Sequence, residues 1–410
     1  MNICMVLAGV VFPPDIRVEK EARSLVAAGN RVVILCDGLP GMAAEDEWES
    51  CRIVRVPRPS GLALRIRSLS HMLTFRSGTW YRAISTVVRR ERIDVLHVHD
   101  LPMLGTGLAV GKRFGIPVIA DLHENYPAAI SYYNEGRGLR RIAAPLFARE
   151  RWERYERRCV QAADRVLVVV DEAKDRLVRT GISADKITVL ENTEDLEHFG
   201  SMPIDDEIIQ RYGGEFVITY VGGLGGRHRG LPTVIKAMPR VREQIPFARL
   251  LLVGDGPIRS ELEGMVRDLG LNDCVEFVPW QPLKRVPSFI ALSTVCIVPH
   301  QENAHTNATV PHKLFQYMVF GKPVVVSTCK PLRRIVEQTG AGLVFRADDA
   351  DDLAAVLARL RDDKLRAELG RRGQEAVRTW YNWKRTAQDL LSVYATLEPR
   401  PVPIHVGDGR

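Results

Sequence analysis

Three short stretches hold most of the residues able to do chemistry. The first, Val221-Gly-Gly-Leu-Gly-Gly-Arg-His-Arg-Gly-Leu-Pro232, joins an apolar run to a helical pattern. In that setting the backbone N–H groups of Gly222 and Gly223 can approach a phosphate. Arg229 adds a forked donor suited to a diphosphate. A glycine cluster alone is a weak signal, because a turn with solvated basic residues reads the same way. The second stretch runs from Thr309 to Ser327 and places Lys313 and Gln316 three residues apart on one helix face. His305, Thr306 and Asn307 precede it as polar groups able to meet hydroxyls. In the third, Val118-Ile-Ala-Asp-Leu-His-Glu-Asn-Tyr126, an apolar strand ends and His123 follows, with Glu124 placed to orient it. Ligands of open α/β sheets bind beyond the carboxyl ends of strands. A histidine there can hydrogen-bond a sugar or carry a proton. Cations beside amide and hydroxyl groups make a set suited to a ligand that carries both phosphate and hydroxyls.

Several other residues invite plainer readings. Asp15 and Arg17 could touch an acceptor or a phosphate, although a helix N-cap at Asp15 is simpler. Gly254-Asp-Gly-Pro257 reads as an architectural turn, with Pro at a helix start. Trp280 either lines a base pocket or packs. His97, His99 and Asp100 form a second strand-end cluster. The two imidazoles are expected on opposite faces of the sheet, so no zinc site is expected, and no Asp-x-Asp metal–nucleotide motif is evident.

These residues need strands to carry them. Apolar runs at 3–8, 31–36, 52–56, 95–99, 117–120 and 166–170 lack strict alternation, as in strands buried on both faces of a parallel sheet. A second set lies at 216–221, 249–253, 275–278, 295–298, 324–327 and 343–345. Helical patterns separate them, such as Ile16 to Ala28 with a stop at Gly29. Alternating β and α units over this length imply two doubly wound domains. The polar stretch Glu191 to Asp206 suggests the boundary. The expected division is 1–195 for the first domain, 200–380 for the second, a returning helix at 381–398 and a tail at 399–410.

Composition narrows the class. The 410 residues carry a net charge of +7, with 46% hydrophobic and 26% charged residues, as in soluble globular proteins. No apolar run reaches the ~18 residues that span a bilayer. Seven scattered cysteines without CxxC spacing imply a reducing cytoplasm and no structural metal. Arginines crowd the stretch from Leu62 to Asp94, where Glu91 is the only internal acid, and Arg137, Arg140 and Arg141 form another cluster. Solvated helix faces explain such charge most simply. Attraction to anionic phospholipid or a pyrophosphate-linked acceptor is the sharper reading, and nucleic acid is not expected without a recognised motif.

The segment Pro311-His-Lys-Leu-Phe-Gln-Tyr-Met-Val-Phe-Gly-Lys-Pro-Val324 resembles the donor-binding segment of retaining glycosyltransferases of family 4, "group 1", which have the GT-B fold. Their pattern is roughly Pro-x-Lys-x-x-Glu-x-Met-x-x-Gly-x-Pro-Val. The glycine-rich stretch resembles their Gly-Arg-Leu-x-x-x-Lys-Gly, with Arg229 at the Lys position. Asn192 and Phe199 resemble their linker, and 381–394 their crossover helix. The resemblance implies two Rossmann-like domains facing a cleft, with the acceptor on the side of the first. It implies a nucleoside-diphosphate sugar donor, a lipid-linked or saccharide acceptor and no metal or other cofactor. Arg229 and Lys313 would stabilise the leaving diphosphate, and His123 would position the sugar. Three positions depart from the pattern: Gly223 replaces its first Arg, Ala308 its first Glu and Gln316 its second. Arg227 or His228 would then supply the missing phosphate contact. A sugar-nucleotide 2-epimerase and a non-catalytic sugar-nucleotide-binding module are the competing readings.

Overall fold

The structure is a computed structural model that describes residues 1–133, 144–212 and 215–397. Arg137, Arg140, Arg141 and the tail from 399 lie outside the described residues. The chain forms two compact units, Met1–Leu190 together with the stretch from Ala387, and Glu191–Thr386.

The first unit is built on an eight-stranded sheet ordered β3-β4-β2-β1-β5-β6-β7-β8. Its strands are β1 Asn2–Leu7, β2 Arg31–Gly38, β3 Glu45–Trp48, β4 Cys51–Pro57, β5 Val95–His99, β6 Val118–Leu122, β7 Arg165–Val168 and β8 Ile187–Val189. All neighbours pair in parallel except β3, which runs antiparallel to β4 at the edge. Two strands escape sequence reading for different reasons. β3 is mostly acidic and exposed, so it has no apolar run to detect. β8 has three residues, too few to show a period. The central strands are buried along nearly their whole length, which explains their unbroken Val, Ile and Leu content.

The second unit holds a six-stranded, wholly parallel sheet ordered β11-β10-β9-β12-β13-β14. The strands are β9 Phe216–Val221, β10 Ala248–Val253, β11 Val275–Val278, β12 Val295–Val298, β13 Val324–Ser327 and β14 Gly342–Phe345. β1 and β9 each sit where the order reverses, the position at which a crevice opens beyond the strand ends. Residues 191–195, expected in the first domain, belong to the second unit. Long-range contacts hold them there: the Asn192 amide donates to the Val310 carbonyl at 2.8 Å, and Glu194 accepts from Gln316. Helix Trp383–Ala395 is divided between the units at Ala387. Its Leu390, Val393 and Tyr394 join the core of the first unit with Ile3, Met5 and Ile34.

Candidate active site

In the second unit the site begins where β9 ends. Gly222 follows with φ +140°, and its N–H donates to the Val253 carbonyl at 2.8 Å. A Cβ at Gly222 would collide with Lys313 Nζ, so glycine is what admits the lysine. Lys313 comes from helix His312–Val319 and lies over the Tyr220 ring, Nζ 3.5 Å from its centroid. The same helix is fastened to β9, because the Val221 N–H donates to the Tyr317 hydroxyl at 2.9 Å.

Arg229 ends the 3-10 turn Arg227–Arg229. Gly230 comes next with φ +72°, and any Cβ on it would strike the Pro299 carbonyl just beyond β12. The Gln301 N–H donates to the His228 carbonyl at 2.9 Å and completes the clamp. The turn is thereby held against the end of the strand that neighbours β9.

Charge is left uncompensated here. Lys313 Nζ and Arg229 Nε are buried and have no hydrogen-bond partner among the described residues, and the same is true of both ring nitrogens of His300. Burial, and then the charge of Arg229, push the Lys313 ammonium well below its usual pKa. His300 is pushed down by burial, then by Arg229 and Lys313. Burial and Arg229 bring His228 down to about 4, and burial with His228 and Arg229 does the same for His305. Buried donors of one sign that repel each other are a site prepared for an anion. Arg229, Lys313 and Gly222 thus converge, and His300 joins them. The strand-end argument that selected His123 applies equally to His300, just past β12.

Other expected contacts are used differently. The Gln316 side-chain amide is buried and donates to Glu194 Oε2 at 2.8 Å, in the linker. A glutamate at 316 would put two buried carboxylates together, and the amide removes that repulsion. The Thr306 hydroxyl donates to the Gln301 carbonyl at 2.6 Å and accepts from the Asn303 N–H, so it shapes its own loop. Asn307 Oδ1 accepts from the Lys330 N–H at 2.8 Å, at the start of helix Lys330–Thr339. Arg227 is exposed and pairs with Glu261 at 2.8 Å. Gly223 is exposed, and a Cβ there would meet nothing within 4 Å. The turn at Gly254 is architectural, since its Cβ would strike the Gly222 carbonyl. Trp280 is exposed and not packed.

The first unit carries a separate cluster beyond β1, β5 and β6. Asp121 is fully buried and receives both arms of Arg17, Nη2 at 2.8 Å and Nε at 3.1 Å. Arg17 Nε also lies 3.0 Å from Glu21. Arg17 is therefore a core counter-charge and not an acceptor or phosphate contact. Asp15 caps helix Ile16–Ala27, accepting from the Arg17 and Val18 N–H groups. His97 and His99 share a face, with rings stacked 4.4 Å apart. The opposite-face expectation fails because residues two apart on a strand point the same way. Ligand atoms of Glu21, His97, His99 and Asp121 lie within 4.8 Å of one another. Arg17 already lies against both carboxylates among them.

His123 Nε2 lies 3.2 Å from Asp121 Oδ2 and 3.1 Å from His99 Nδ1, and its Nδ1 is 3.7 Å from Asp100. Burial alone would lower its pKa, but Asp100 and Asp121 outweigh burial and raise it to about 10. His99 is the reverse case, lowered to about 3 by burial and by His97. At neutral pH His123 is an imidazolium beside a neutral His99. It suits a fixed cation better than a proton shuttle.

Family descriptions match both units: "Glycosyltransferase Family 4" over residues 16–198 and "Glycosyl transferases group 1" over 215–363. The chain belongs to the family 4, group 1 glycosyltransferases. This glycosyltransferase is 25% identical over 366 residues to the 2-deoxystreptamine glucosyltransferase of Streptomyces kanamyceticus, covering 85% of this chain and 89% of that one. It is 23% identical to the phosphatidyl-myo-inositol mannosyltransferase of Mycolicibacterium smegmatis, covering 94% and 90%. HepE of Anabaena, solved in complex with UDP-glucose, superposes with a TM-score of 0.74 at 14% identity, covering 97% of this chain and all of that one. The fold is GT-B. Within it, this glycosyltransferase keeps the lysine of the family's donor segment and buries Ala308 where the pattern has its first acid.

Proposed function

We propose that the enzyme transfers a sugar from a nucleoside-diphosphate sugar to an acceptor hydroxyl with retention. The observation that carries this reading is that Lys313 Nζ and Arg229 Nε, at adjacent strand ends, are buried without a hydrogen-bond partner among the described residues. They would take up the charge that grows on the diphosphate as the glycosidic bond breaks. The Gly222 N–H is taken by the Val253 carbonyl, so the Gly223 N–H would be the backbone donor next to it, with no metal required. His123 would hold the sugar as a fixed cation, oriented by Asp121 and Asp100. HepE was solved with UDP-glucose, which favours a uridine nucleotide among the donors to try. The inositol-lipid mannosyltransferase among the relatives favours a lipid-linked or saccharide acceptor in cell-surface polysaccharide or glycolipid synthesis. The cytoplasm, at the inner face of the cell membrane, is the place that fits. No helix of the described residues is long and apolar enough to cross a membrane.

Thermal unfolding with UDP, GDP and dTDP tests the donor site. A ligand at a hundred times its Kd is expected to stabilise the fold by about 2.7 kcal/mol. Donor hydrolysis by the wild type is expected to fall about a hundredfold or more in Lys313→Met and in Arg229→Gln. Binding with no turnover of any bound sugar nucleotide would reduce the protein to a binding module. Unchanged hydrolysis in both variants would remove the proposed roles.

A further inference from the structure

Helix Gly61–Thr74 in the first unit contains no buried residue. Leu62, Ile66, Leu69 and Leu73 are 71, 60, 51 and 56% exposed. Their spacing of four, three and four aligns them in one stripe. Leu64, Arg67 and His71 lie on the other side and are half-buried. That side is tied to the unit, with Arg67 3.6 Å from Asp37 and 3.5 Å from the Pro57 carbonyl. The apolar stripe thus faces away from the core that such a stripe ordinarily meets.

Its charge surroundings are one-sided. Between Glu49 and Glu91 the chain has nine arginines and no aspartate, glutamate or lysine. Arg58, Arg65, Arg76 and Arg82 are exposed, and none is in an ion pair among the described residues. Aliphatic side chains on one face with guanidinium groups beside them suit an interface that is apolar within and anionic at its rim.

We propose that helix Gly61–Thr74 docks on an anionic lipid bilayer, with its four aliphatic side chains at the acyl boundary and Arg58, Arg65 and Arg76 among the headgroup phosphates. A second copy of the chain fits less well. A two-fold interface sets the same patch against itself and would oppose arginine to arginine. Four aliphatic side chains are also a small part of the ~800 Å² per partner that a stable protein interface buries. The proposal deepens the membrane reading above and rests on it only for location, since it does not involve the donor site.

Vesicle co-sedimentation of the full chain tests it. The wild type is expected to sediment with vesicles of phosphatidylcholine and phosphatidylglycerol in equal parts, to remain in solution with phosphatidylcholine alone, and to release with salt. The variant carrying Leu62→Ser, Ile66→Ser, Leu69→Ser and Leu73→Ser is expected to partition about tenfold less or weaker still. Arg65→Glu with Arg76→Glu should lose the preference for anionic vesicles. Both variants should keep the wild-type melting profile and nucleoside-diphosphate shift, because these side chains are exposed. Equal vesicle binding by the wild type and the serine variant would overturn the assignment of this helix and leave the membrane reading intact. No binding of wild type to anionic vesicles would overturn both. A dimer that dissociates in the serine variant would overturn the proposal in favour of a second copy.

Discussion

Lys313 sits where its own charge is disfavoured, and that strain is the clearest sign of function at the residue scale. An incoming diphosphate reverses the balance for the groups around it. Lys313, pushed down by burial and Arg229, and His300, pushed down by burial, Arg229 and Lys313, then hold protons more tightly. His228 and His305, each brought to about 4, shift in the same direction. Bound enzyme is expected to carry more protons than free enzyme, so affinity is expected to rise as pH falls. Calorimetric titration with UDP should show heats that differ between buffers of unequal ionisation enthalpy. Identical heats would refute the proton uptake. Gln316 gives a second residue-scale prediction. Gln316→Glu would face Glu194 with a second buried carboxylate and is expected to cost about 1–3 kcal/mol. The new carboxyl would have a raised pKa in the folded state. Its penalty should therefore shrink as pH falls and the group protonates, which urea unfolding at several pH values would measure. Lys313 and Arg229 were legible because each stands in a local frame of glycines and prolines. Gln316 was not, because its partner Glu194 lies 122 residues away.

At the scale of elements, two glycines that flank the same loop, Gly222 and Gly230, do different work. Gly230 holds the turn of Arg227–Arg229 against the Pro299 carbonyl, which is backbone and cannot move aside. Gly222 makes room for Lys313 Nζ, the mobile end of a long side chain. Both have positive φ, so alanine adds some strain at either site. Gly230→Ala is expected to destabilise by about 3 kcal/mol or more, because strain and a backbone collision combine. Gly222→Ala is expected to cost about 1–2 kcal/mol while weakening UDP binding by displacing Lys313. Paired thermal melts with and without UDP separate the outcomes. Equal loss of stability with equal UDP shifts would contradict the division of labour. The other twelve strands were legible from apolar runs, because the central ones are buried on both faces. β3 and β8 were not, one being acidic and the other three residues long. The pairing of His97 with His99 followed from strand geometry, and misassigning their faces hid the Glu21–Arg17–Asp121 cluster behind them.

For the whole molecule, charge neutralisation by side chains predicts independence from divalent cations. Transfer or hydrolysis is expected to be unchanged after dialysis against EDTA. A loss restored by magnesium or manganese would show that Lys313 and Arg229 do not suffice. The sequence by itself determined the repeating β/α order, the two-unit plan and the donor frame, because hydrophobic period, glycine stops and short motifs are local properties. Tertiary structure alone decided which polar groups remain available. It committed Arg17 to Asp121, Gln316 to Glu194 and Thr306 to its own loop, while leaving Lys313 Nζ, Arg229 Nε and the His300 ring without a hydrogen-bond partner among the described residues. It also turned the aliphatic stripe of helix Gly61–Thr74 outward. Burial and pairing depend on partners distant in the chain, so no window along it could have shown them.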